Sequence, residues 1–545
     1  MVKLKTKSPK TKRQSQKSKK SKKLDKSVKP ALSKKEQAKR KRQITKERKK
    51  FISRVTVAGS LGFIVALLLT VLKDIKLGIA GGGAIVILAL SLQYPMLALW
   101  AFLIYLPING TVTYWIGGGS AIFQLAKDGF YLPALFTLIR QWKREKKQFV
   151  IPQSLRQPLY IFWGICIIIL LLVNGSQQLK PVGGDKPILL GLLGLKVLLG
   201  YLPLITCAYY QIKSKKELLI LTRLHVILAM VCCVLGILQY QFLLSGRCPG
   251  TRGLVGPELY KATTDAKCLV GGSLAFSPEV DFIRLPGTFV APWQWAWFLI
   301  SNAFFTFATA FSDPSLWWRF VGLGGMAVVF VNAVISGQRI ALAVVPLVTV
   351  ILLILTGQVA NLKRFIPIAA GLSLILGIAI IANPDLIQER VDSFVSRWQA
   401  SPPTDFIAEQ FEFSSGQEGF LGKGIGRGTN SARIFGETKL IETYYPKLIY
   451  EIGPFGVLGF LGVVTTLTIA TFKAYRSIKD RNLRSFGASF WVFILLISYN
   501  TYWYPLDTDP VAVYYWYFIG VTLKLPEIDQ QEQKRLAEEA TAEEN

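Results

Sequence analysis

Residues 157–174 read QPLYIFWGICIIILLLVN, an apolar run that contains no charged side chain. An α-helix rises about 1.5 Å per residue, so roughly 20 such residues span the hydrocarbon core of a bilayer. Because that core holds no water, a segment of this kind satisfies its backbone hydrogen bonds only as a helix. The run therefore predicts a transmembrane helix.

Similar apolar runs lie on both sides of this one. The chain has 545 residues, is 51% hydrophobic and has a mean hydropathy of +0.38. We predict an all-α polytopic membrane protein with about 12–14 transmembrane helices, because the second, third and last runs are short enough to be half-spans. The candidate spans are 52–72, 77–92, 95–108, 121–140, 157–174, 188–210, 217–244, 290–311, 315–335, 340–356, 364–382, 448–471, 484–501 and 510–524.

The N-terminal arm, residues 1–50, differs from the integral domain, 51–525. It carries 23 Lys or Arg and three acidic residues, so it holds +20 of the formal charge of +31. With almost no apolar residues it cannot bury a core, and we predict that it is disordered. We interpret it as a cytoplasmic arm that touches anionic lipid. Nucleic-acid binding is the alternative, but the arm lacks interleaved aromatic residues and a folded module.

Basic loops give the orientation of the spans. Residues 141–147, 213–216 and 473–484 are rich in Lys and Arg, so they belong on the cytoplasmic side of an inner (plasma) membrane. The fourteen-span count places all three loops and the N-terminus on that side.

The same count places two long loops, 245–289 and 383–447, on the outer side of the membrane. The shorter loop 502–510 also falls outside. The acidic tail, 526–545, returns to the cytoplasm, so both termini are predicted to be cytoplasmic.

Cysteine and histidine use argues against a metal site. The sequence contains no CxxC pair, and its one histidine, His225, lies inside the seventh span. His225 is interpreted as a packed, hydrogen-bonded residue, with a ligand or base as the alternative. Cys248 and Cys268 share the first outer loop, where an oxidising compartment permits a disulfide. The other four cysteines lie in spans and are interpreted as packing residues.

Two arginines lie at the predicted outer ends of spans. Gln338 and Arg339 are the last two residues of the turn Ser-Gly-Gln-Arg before the tenth span. Arg284 is the first residue of the segment Arg-Leu-Pro-Gly-Thr-Phe before the eighth span. The guanidinium fork matches phosphate oxygens, and a helix N-terminus favours an anion. The alternative for both is an interfacial arginine whose head group reaches water.

The loop 383–447 is the long polar stretch between spans. Its amphipathic first part carries Arg390 and Arg397, and residues 422–428 (GKGIGRG) follow. The glycine-rich segment either offers backbone N–H groups to an anion or is an ordinary turn. Glu442 is a candidate general base, although an exposed carboxylate is a weak base unless it is removed from water. The alternative is a solvated loop acid.

Charged residues also occur inside spans. Lys127 and Asp128 lie in the fourth span and Lys196 lies in the sixth. Opposite charges at membrane depth tend to pair, so we predict a structural ion pair, with a substrate relay as the alternative.

These pieces, in this order, resemble the O-antigen ligase and polymerase superfamily of bacterial envelope glycosyltransferases. The resemblance covers roughly residues 90–520. It rests on the Lys127-Asp128 span, the RLPGTF segment before a span, the SGQR turn and the long outer loop. That loop closes with GKGIG and then YYPKLIYEIGPFGVLG.

The resemblance implies a helical GT-C-like fold and transfer of a polyprenyl-pyrophosphate-linked glycan at the outer face of the inner membrane, in cell-surface polysaccharide biosynthesis. It implies neither metal nor nucleotide cofactor. Family arginines hold the pyrophosphate; Arg284 and Arg339 match two of them by position, Gln338 lies beside them, and Arg390 or Arg397 could match a third.

The chain departs from the family at one position. The ligases carry a histidine near the end of the long loop, where this chain has Glu442 and Thr443. Either Glu442 takes the base role, or the protein is a polymerase-type or non-ligase relative. The superfamily also contains cyanobacterial proteins once proposed as bicarbonate transporters, so an anion or solute transporter is the alternative function. A non-catalytic partner in polysaccharide export is a third.

Overall fold

The structure is a computed structural model. The chain divides into two compact units, Met1–Val57 and Ala58–Asn545. The structure describes residues 34–252, 254, 267–272, 275–277, 282–358, 388, 392, 395, 396, 398, 399, 401–416 and 419–544.

Helices dominate this part of the chain. Those of eight or more residues are α1 Lys34–Leu72, α2 Ile75–Gln93, α3 Pro95–Tyr105, α4 Ala126–Arg144, α5 Gln153–Ile169, α6 Pro187–Leu199, α7 Leu204–Gln211, α8 Lys215–Leu244, α9 Pro292–Ser312, α10 Leu316–Ile335, α11 Arg339–Leu355, α12 Pro403–Ser415, α13 Tyr444–Arg476, α14 Arg481–Tyr499 and α15 Val511–Glu544. The shorter turns are α at Asn109–Thr111 and Gly175–Leu179, π at Val112–Ile116 and Leu170–Asn174, and 3₁₀ at Leu106–Ile108, Ala121–Leu125, Asn430–Phe435 and Pro505–Asp507.

Nine helical segments of the described residues are long and apolar enough to cross a membrane. The prediction of an all-α polytopic membrane protein is therefore confirmed at this level. The predicted span 364–382 lies outside the described residues, and the tenth span corresponds to the shorter helix α11. The nine segments are Lys41–Leu72, Ile75–Gln93, Pro95–Ile116, Gln153–Leu179, Pro187–Gln211, Lys215–Leu244, Leu316–Ile335, Tyr444–Arg476 and Arg481–Tyr499.

Two helices form the centre of the larger unit. From Trp295 to its end, every residue of α9 is buried, and so is the first part of α15, residues 511–522. A helix that is apolar on all sides belongs in the interior of a bundle. The rings of Phe305 and Phe518 stack at 4.2 Å between centroids and join the two helices. The loop before α15, residues 502–510, therefore also lies partly within the bundle.

Helix α13 is broken near its start. Gly453 has φ 66° and ψ 178°, and Pro454 follows it. A Cβ at Gly453 would lie 2.1 Å from the carbonyl oxygen of Phe420, so the close approach requires glycine. Because proline has no N–H to continue the helix, the two residues together separate a short first segment from the long apolar one. The predicted loosening at this pair is confirmed.

Both ends of the chain contain more helix than their composition predicted. Residues 34–50 of the basic arm belong to α1, so the predicted disorder over 1–50 is wrong for this part. This segment has no Gly or Pro and is rich in Lys, Arg, Gln and Glu, which are good helix formers. The acidic tail continues α15 to Glu544, and Arg535 pairs there with Glu532 and Glu539 at 3.1 and 2.7 Å.

The loop between α8 and α9 contains the described strands, β1 Ala275–Ser277 and β2 Phe282–Arg284. They pair antiparallel, with Ala275 opposite Arg284. Cys248 and Cys268 form a disulfide in the same loop, as the sequence predicted. The remaining cysteines, Cys166, Cys207, Cys232 and Cys233, are buried and unbridged. The disulfide and hairpin fix the segment that leads to α9.

We expect the disulfide to be present when the protein is made in its own cell. Thiol labelling of the SDS-denatured protein should modify four cysteines without reductant and all six after reduction. Denaturation matters because the other four thiols are buried. Labelling of six thiols without reductant, in protein kept from thiol exchange by acid quenching, contradicts this expectation.

Candidate functional site

Two of the predicted site segments lie side by side. The Leu285 N–H donates to the Ser336 carbonyl oxygen at 3.0 Å, which joins the end of β2 to the turn between α10 and α11. Gly337 in this turn has φ 68°, and a Cβ there would lie 1.9 Å from a carbonyl oxygen of β2. Glycine at this position therefore permits the contact that places Arg284 and Arg339 on adjacent segments.

The turn ends in a pair of polar groups at a helix N-terminus. Gln338 is the N-cap residue of α11; its side chain is buried, and its Nε2 has no hydrogen-bond partner among the described residues. Arg339 is the first residue of the helix and is half-buried. Helix N-termini carry partial positive charge, so an amide N–H and a guanidinium here suit an anion.

Trp503 connects Arg284 to the segment of Glu442. The guanidinium carbon of Arg284 lies 6.0 Å from the centroid of the Trp503 ring. The Trp503 N–H donates to the Glu442 carbonyl oxygen at 3.1 Å, and Trp297 Nε1 donates to the Trp503 carbonyl oxygen at 3.0 Å. The segments of Arg284 and Glu442 thus meet at Trp503, the first at its ring and the second at its backbone.

Glu442 itself lies at the edge of this region. It is half-buried and lies outside the helices. Its backbone N–H donates to Gln410 Oε1 at 3.2 Å. Burial, followed by the nearby charges of Glu442 and Asp507, raises the pKa of the Tyr504 phenol. The Glu442 carboxylate takes part in none of the ion pairs described below.

The proposed third arginine is Arg390 or Arg397. Both lie outside the described residues. The site therefore consists of Arg284, Gln338, Arg339 and Glu442 among the residues selected from the sequence.

Ion pairs connect α4 with α6 and with the loop that contains Trp503. Lys196 Nζ lies 2.9 Å from Asp128 Oδ2, so the predicted pair between these spans is confirmed. Lys127, the neighbour of Asp128, pairs instead with Asp509, which comes from the loop before α15. The side chains of Lys127 and Asp509 are only 13% and 10% exposed, so water screens this pair weakly. The hydroxyl of Tyr201 lies close to Asp128 and Asp509 and is also buried.

A second ionic group lies around Lys447 in the first segment of α13. Lys447 pairs with Asp507, and its Nζ lies 3.7 Å from Glu451 Oε2. Glu451 Oε1 accepts from the Gly428 N–H at 2.8 Å and from Thr429 Oγ1 at 2.9 Å. We call Lys447, Glu451 and Asp507 the buried triad; its two carboxylates and one ammonium group leave a formal charge of −1 if all are ionised.

Asp507 and Asp509 were not predicted from the sequence. The signal that could have found them is their position: the segment Asp507-Thr508-Asp509 stands immediately before the apolar start of α15. Acidic residues this close to a span are costly unless they have partners. Their lysines are 60 and 382 residues away in the sequence, so no local pattern indicates the pairing.

The glycine-rich segment 422–428 does not offer its backbone to an anion, so that interpretation is wrong. Most of its N–H groups donate to protein acceptors because the segment packs closely against α6 and α13. A Cβ at Gly426, for example, would lie 2.4 Å from the Leu190 carbonyl oxygen. The donors and acceptors are Lys423 N to Tyr450 O, Gly424 N to Glu451 O, Ile425 N to Asn174 Oδ1, Arg427 N to Gly424 O and Gly428 N to Glu451 Oε1.

His225 is a packed residue. Its Nδ1 donates to the Leu221 carbonyl oxygen at 2.9 Å. The rings of Phe305 and Tyr514 lie 4.8 and 5.1 Å away, both edge-on. This environment agrees with a hydrogen-bonded core histidine. It lies on α8, a helix that contributes none of the site residues named above.

Among the residues that the structure describes, no group of three or more His, Cys, Asp or Glu side chains is arranged to hold a metal ion. The chain matches no protein-family model and no curated protein. The site consists of two arginines on adjacent segments, an amide at a helix N-terminus, and Glu442, whose backbone carbonyl oxygen accepts from the Trp503 N–H.

Proposed function

We propose that this protein polymerises or ligates glycans from a polyprenyl-pyrophosphate-linked donor, in cell-surface polysaccharide biosynthesis. The observation that carries the proposal is the hydrogen bond from Leu285 to Ser336, which holds the segments of Arg284 and Arg339 together. Two guanidinium groups on adjacent segments suit a pyrophosphate better than a single negative charge. In this proposal the bundle is GT-C-like, both termini are cytoplasmic, and the site is at the outer face of the inner membrane.

The proposed reaction assigns a separate role to each side chain. Arg284, Arg339 and the Gln338 amide bind the pyrophosphate oxygens. Glu442 removes the proton of an acceptor hydroxyl as that oxygen attacks the anomeric carbon of the donor sugar. The bond from this carbon to the pyrophosphate oxygen breaks, and the leaving polyprenyl pyrophosphate keeps the electron pair. Positive groups aimed at the charge that develops on a leaving group are often the largest catalytic contribution.

Reconstitution tests this proposal. The purified protein in nanodiscs would receive a synthetic polyprenyl-pyrophosphate-linked oligosaccharide, with EDTA and without nucleotide, and glycan length would be followed by electrophoresis. We expect longer glycan, or glycan transferred to a supplied acceptor lipid, in proportion to the protein. Donor that binds without any glycan product contradicts the enzymatic role and favours a non-catalytic export partner.

Glu442→Gln tests the base. The change keeps the size of the side chain and removes its basicity, so we expect glycan formation to fall about 100-fold or more, as for loss of a general base. Donor binding should be unchanged because Glu442 is assigned to the acceptor. Glu409→Gln is the matched control, since Glu409 is an exposed carboxylate on the neighbouring α12. A fully active Glu442→Gln protein removes the base role and leaves arginine binding alone.

A second candidate, an anion transporter with bicarbonate as the example, has one observation in its favour. The first segment of α13 carries the buried Lys447 and Glu451 and is interrupted at Gly453. Interrupted helices with charged groups are typical of transporter binding sites. Proteoliposomes loaded with buffer would be tested for uptake of labelled bicarbonate. Uptake without glycan formation selects this candidate, and glycan formation without uptake excludes it.

A further inference from the structure

The loop between α14 and α15 is conformationally strained. Trp503 has φ 59° and Tyr504 has φ 22°, so two successive residues other than glycine have positive φ. Bulky side chains rarely adopt such angles, and they persist only where the surroundings determine the backbone. Strain of this kind concentrates at functional sites, which prompts the question of what holds the loop and what the loop holds.

Contacts from four other elements hold this loop. Lys127 of α4 pairs with Asp509, and Lys447 of α13 pairs with Asp507. The Thr443 and Tyr502 backbones form an antiparallel bridge. On the far side, Trp297 of α9 donates to the Trp503 carbonyl oxygen, and Trp503 donates to the Glu442 carbonyl oxygen. Both backbone polar groups of Trp503 are thus engaged, which holds the backbone at this residue.

The Trp503 indole lies near the charged side chain of Arg284, which belongs to another segment. Arg284 ends β2, a strand of three residues. Its guanidinium lies 6.0 Å from the Trp503 centroid, at the outer limit for attraction of a cation to an aromatic ring. Contact with the face of an aromatic ring restricts a guanidinium group without itself using an N–H donor.

We propose that Trp503 is a positioning residue for Arg284: the strained loop, anchored by its two buried aspartates, presents the indole that aligns the guanidinium on the pyrophosphate. This rests on the proposed function, in which Arg284 binds that group. It adds a residue that carries no charge, and it gives a reason for the ion pairs that anchor the loop through Asp507 and Asp509.

Binding measurements separate this role from a merely structural one. Polyprenyl pyrophosphate would be titrated into the purified, detergent-solubilised protein, with polyprenyl monophosphate as the comparison. We expect Trp503→Leu to weaken pyrophosphate binding about tenfold, which corresponds to about 1.4 kcal/mol, because the attraction between the ring and the guanidinium is lost. Trp503→Phe keeps an aromatic face and should recover most of the affinity. Trp317→Leu, at an exposed tryptophan on α10, should bind as the wild type does.

A double-variant cycle identifies the residue through which Trp503 acts. In an Arg284→Ala background, Trp503→Leu should cause no further loss of affinity, because the group that it positions is gone. A further tenfold loss in that background, or wild-type binding by Trp503→Leu, overturns the inference. If Trp503→Leu does not fold, as judged by gel filtration, the same cycle is run with Trp503→Met, which also lacks an aromatic ring. Wild-type binding by both Arg284→Ala and Arg339→Ala instead contradicts the proposed function itself.

Discussion

Arg339→Ala should lower the rate of glycan transfer about 100- to 1,000-fold, the range expected when one group that stabilises transition-state charge is removed. Arg339 begins α11, beside the buried amide of Gln338 and the segment of Arg284. Alanine removes the whole fork. Arg339→Lys keeps the charge and loses the bidentate geometry, so it should also impair transfer, by less. Glycan length would be measured in the reconstituted system and, for the same variants, on the cell surface.

The control for this prediction is an arginine with no place in the site. Arg156 is exposed on α5, so Arg156→Ala should give wild-type glycan and a wild-type amount of protein in the membrane. The amount of the Arg339 variants in the membrane should also be normal, because residue 339 is half-buried and helix α11 needs no charge at its start. Wild-type glycan from Arg339→Ala would show that this arginine does not hold the pyrophosphate.

The helices could be predicted from sequence because hydropathy is a local property. A run such as 157–174 is apolar whatever the rest of the chain does, and only a helix satisfies its backbone in a bilayer. The break at Gly453 was predictable for the same reason, since glycine followed by proline weakens any helix. The disulfide between Cys248 and Cys268 followed from two cysteines sharing one loop.

The pairing of charges was predictable only in part. Lys196 and Asp128 lie in two of the predicted spans, and their pairing was predicted. The partner of Lys127 was not, because Asp509 comes from the other end of the chain and lies in a loop that the topology placed outside. That loop is buried because α15 starts inside the bundle, and a hydropathy count cannot detect this.

The prediction of the site from the sequence was limited for the same reason. Arg284, Arg339 and Glu442 were selected as residue types at the ends of spans, and the structure places the two arginines on adjacent segments. Trp503, which connects Arg284 with the backbone of Glu442, could not be selected in this way. Its role depends on a backbone conformation that its sequence disfavours. The glycine-rich segment was misread because its N–H groups are satisfied by residues distant in sequence, such as Asn174.

Lys447→Met should destabilise the protein more than any other single change considered above. The buried triad has a formal charge of −1, and loss of the ammonium group changes it to −2 at side chains that are only 2% and 10% exposed. Removing one partner of a buried ion pair typically costs about 3–5 kcal/mol, because the remaining charge has neither its partner nor water. The free energy of unfolding would be measured by SDS titration of the purified protein in mixed micelles.

The formal charge that each variant leaves in the triad predicts the order of the variants' stabilities. Asp507→Asn leaves one ammonium group and one carboxylate, a formal charge of zero, so it should be the mildest change within the triad. Lys447→Met combined with Asp507→Asn restores −1 and keeps both hydrogen bonds to Glu451 Oε1, so the double variant should be more stable than Lys447→Met alone. Lys439→Met, at an exposed lysine in the segment before α13, should change the free energy of unfolding by less than about 0.5 kcal/mol.

The order of these variants distinguishes charge from packing. If Lys447 acted mainly by filling space, methionine would replace it well, and Lys447→Met would be as stable as Asp507→Asn. If it acts as the counter-ion of two buried carboxylates, neutralising one of them must compensate for its loss. Equal stability of the single and double variants would therefore contradict the ionic role. The loop of Trp503 would then depend on its backbone contacts, since Lys447 is one of the two lysines that anchor it.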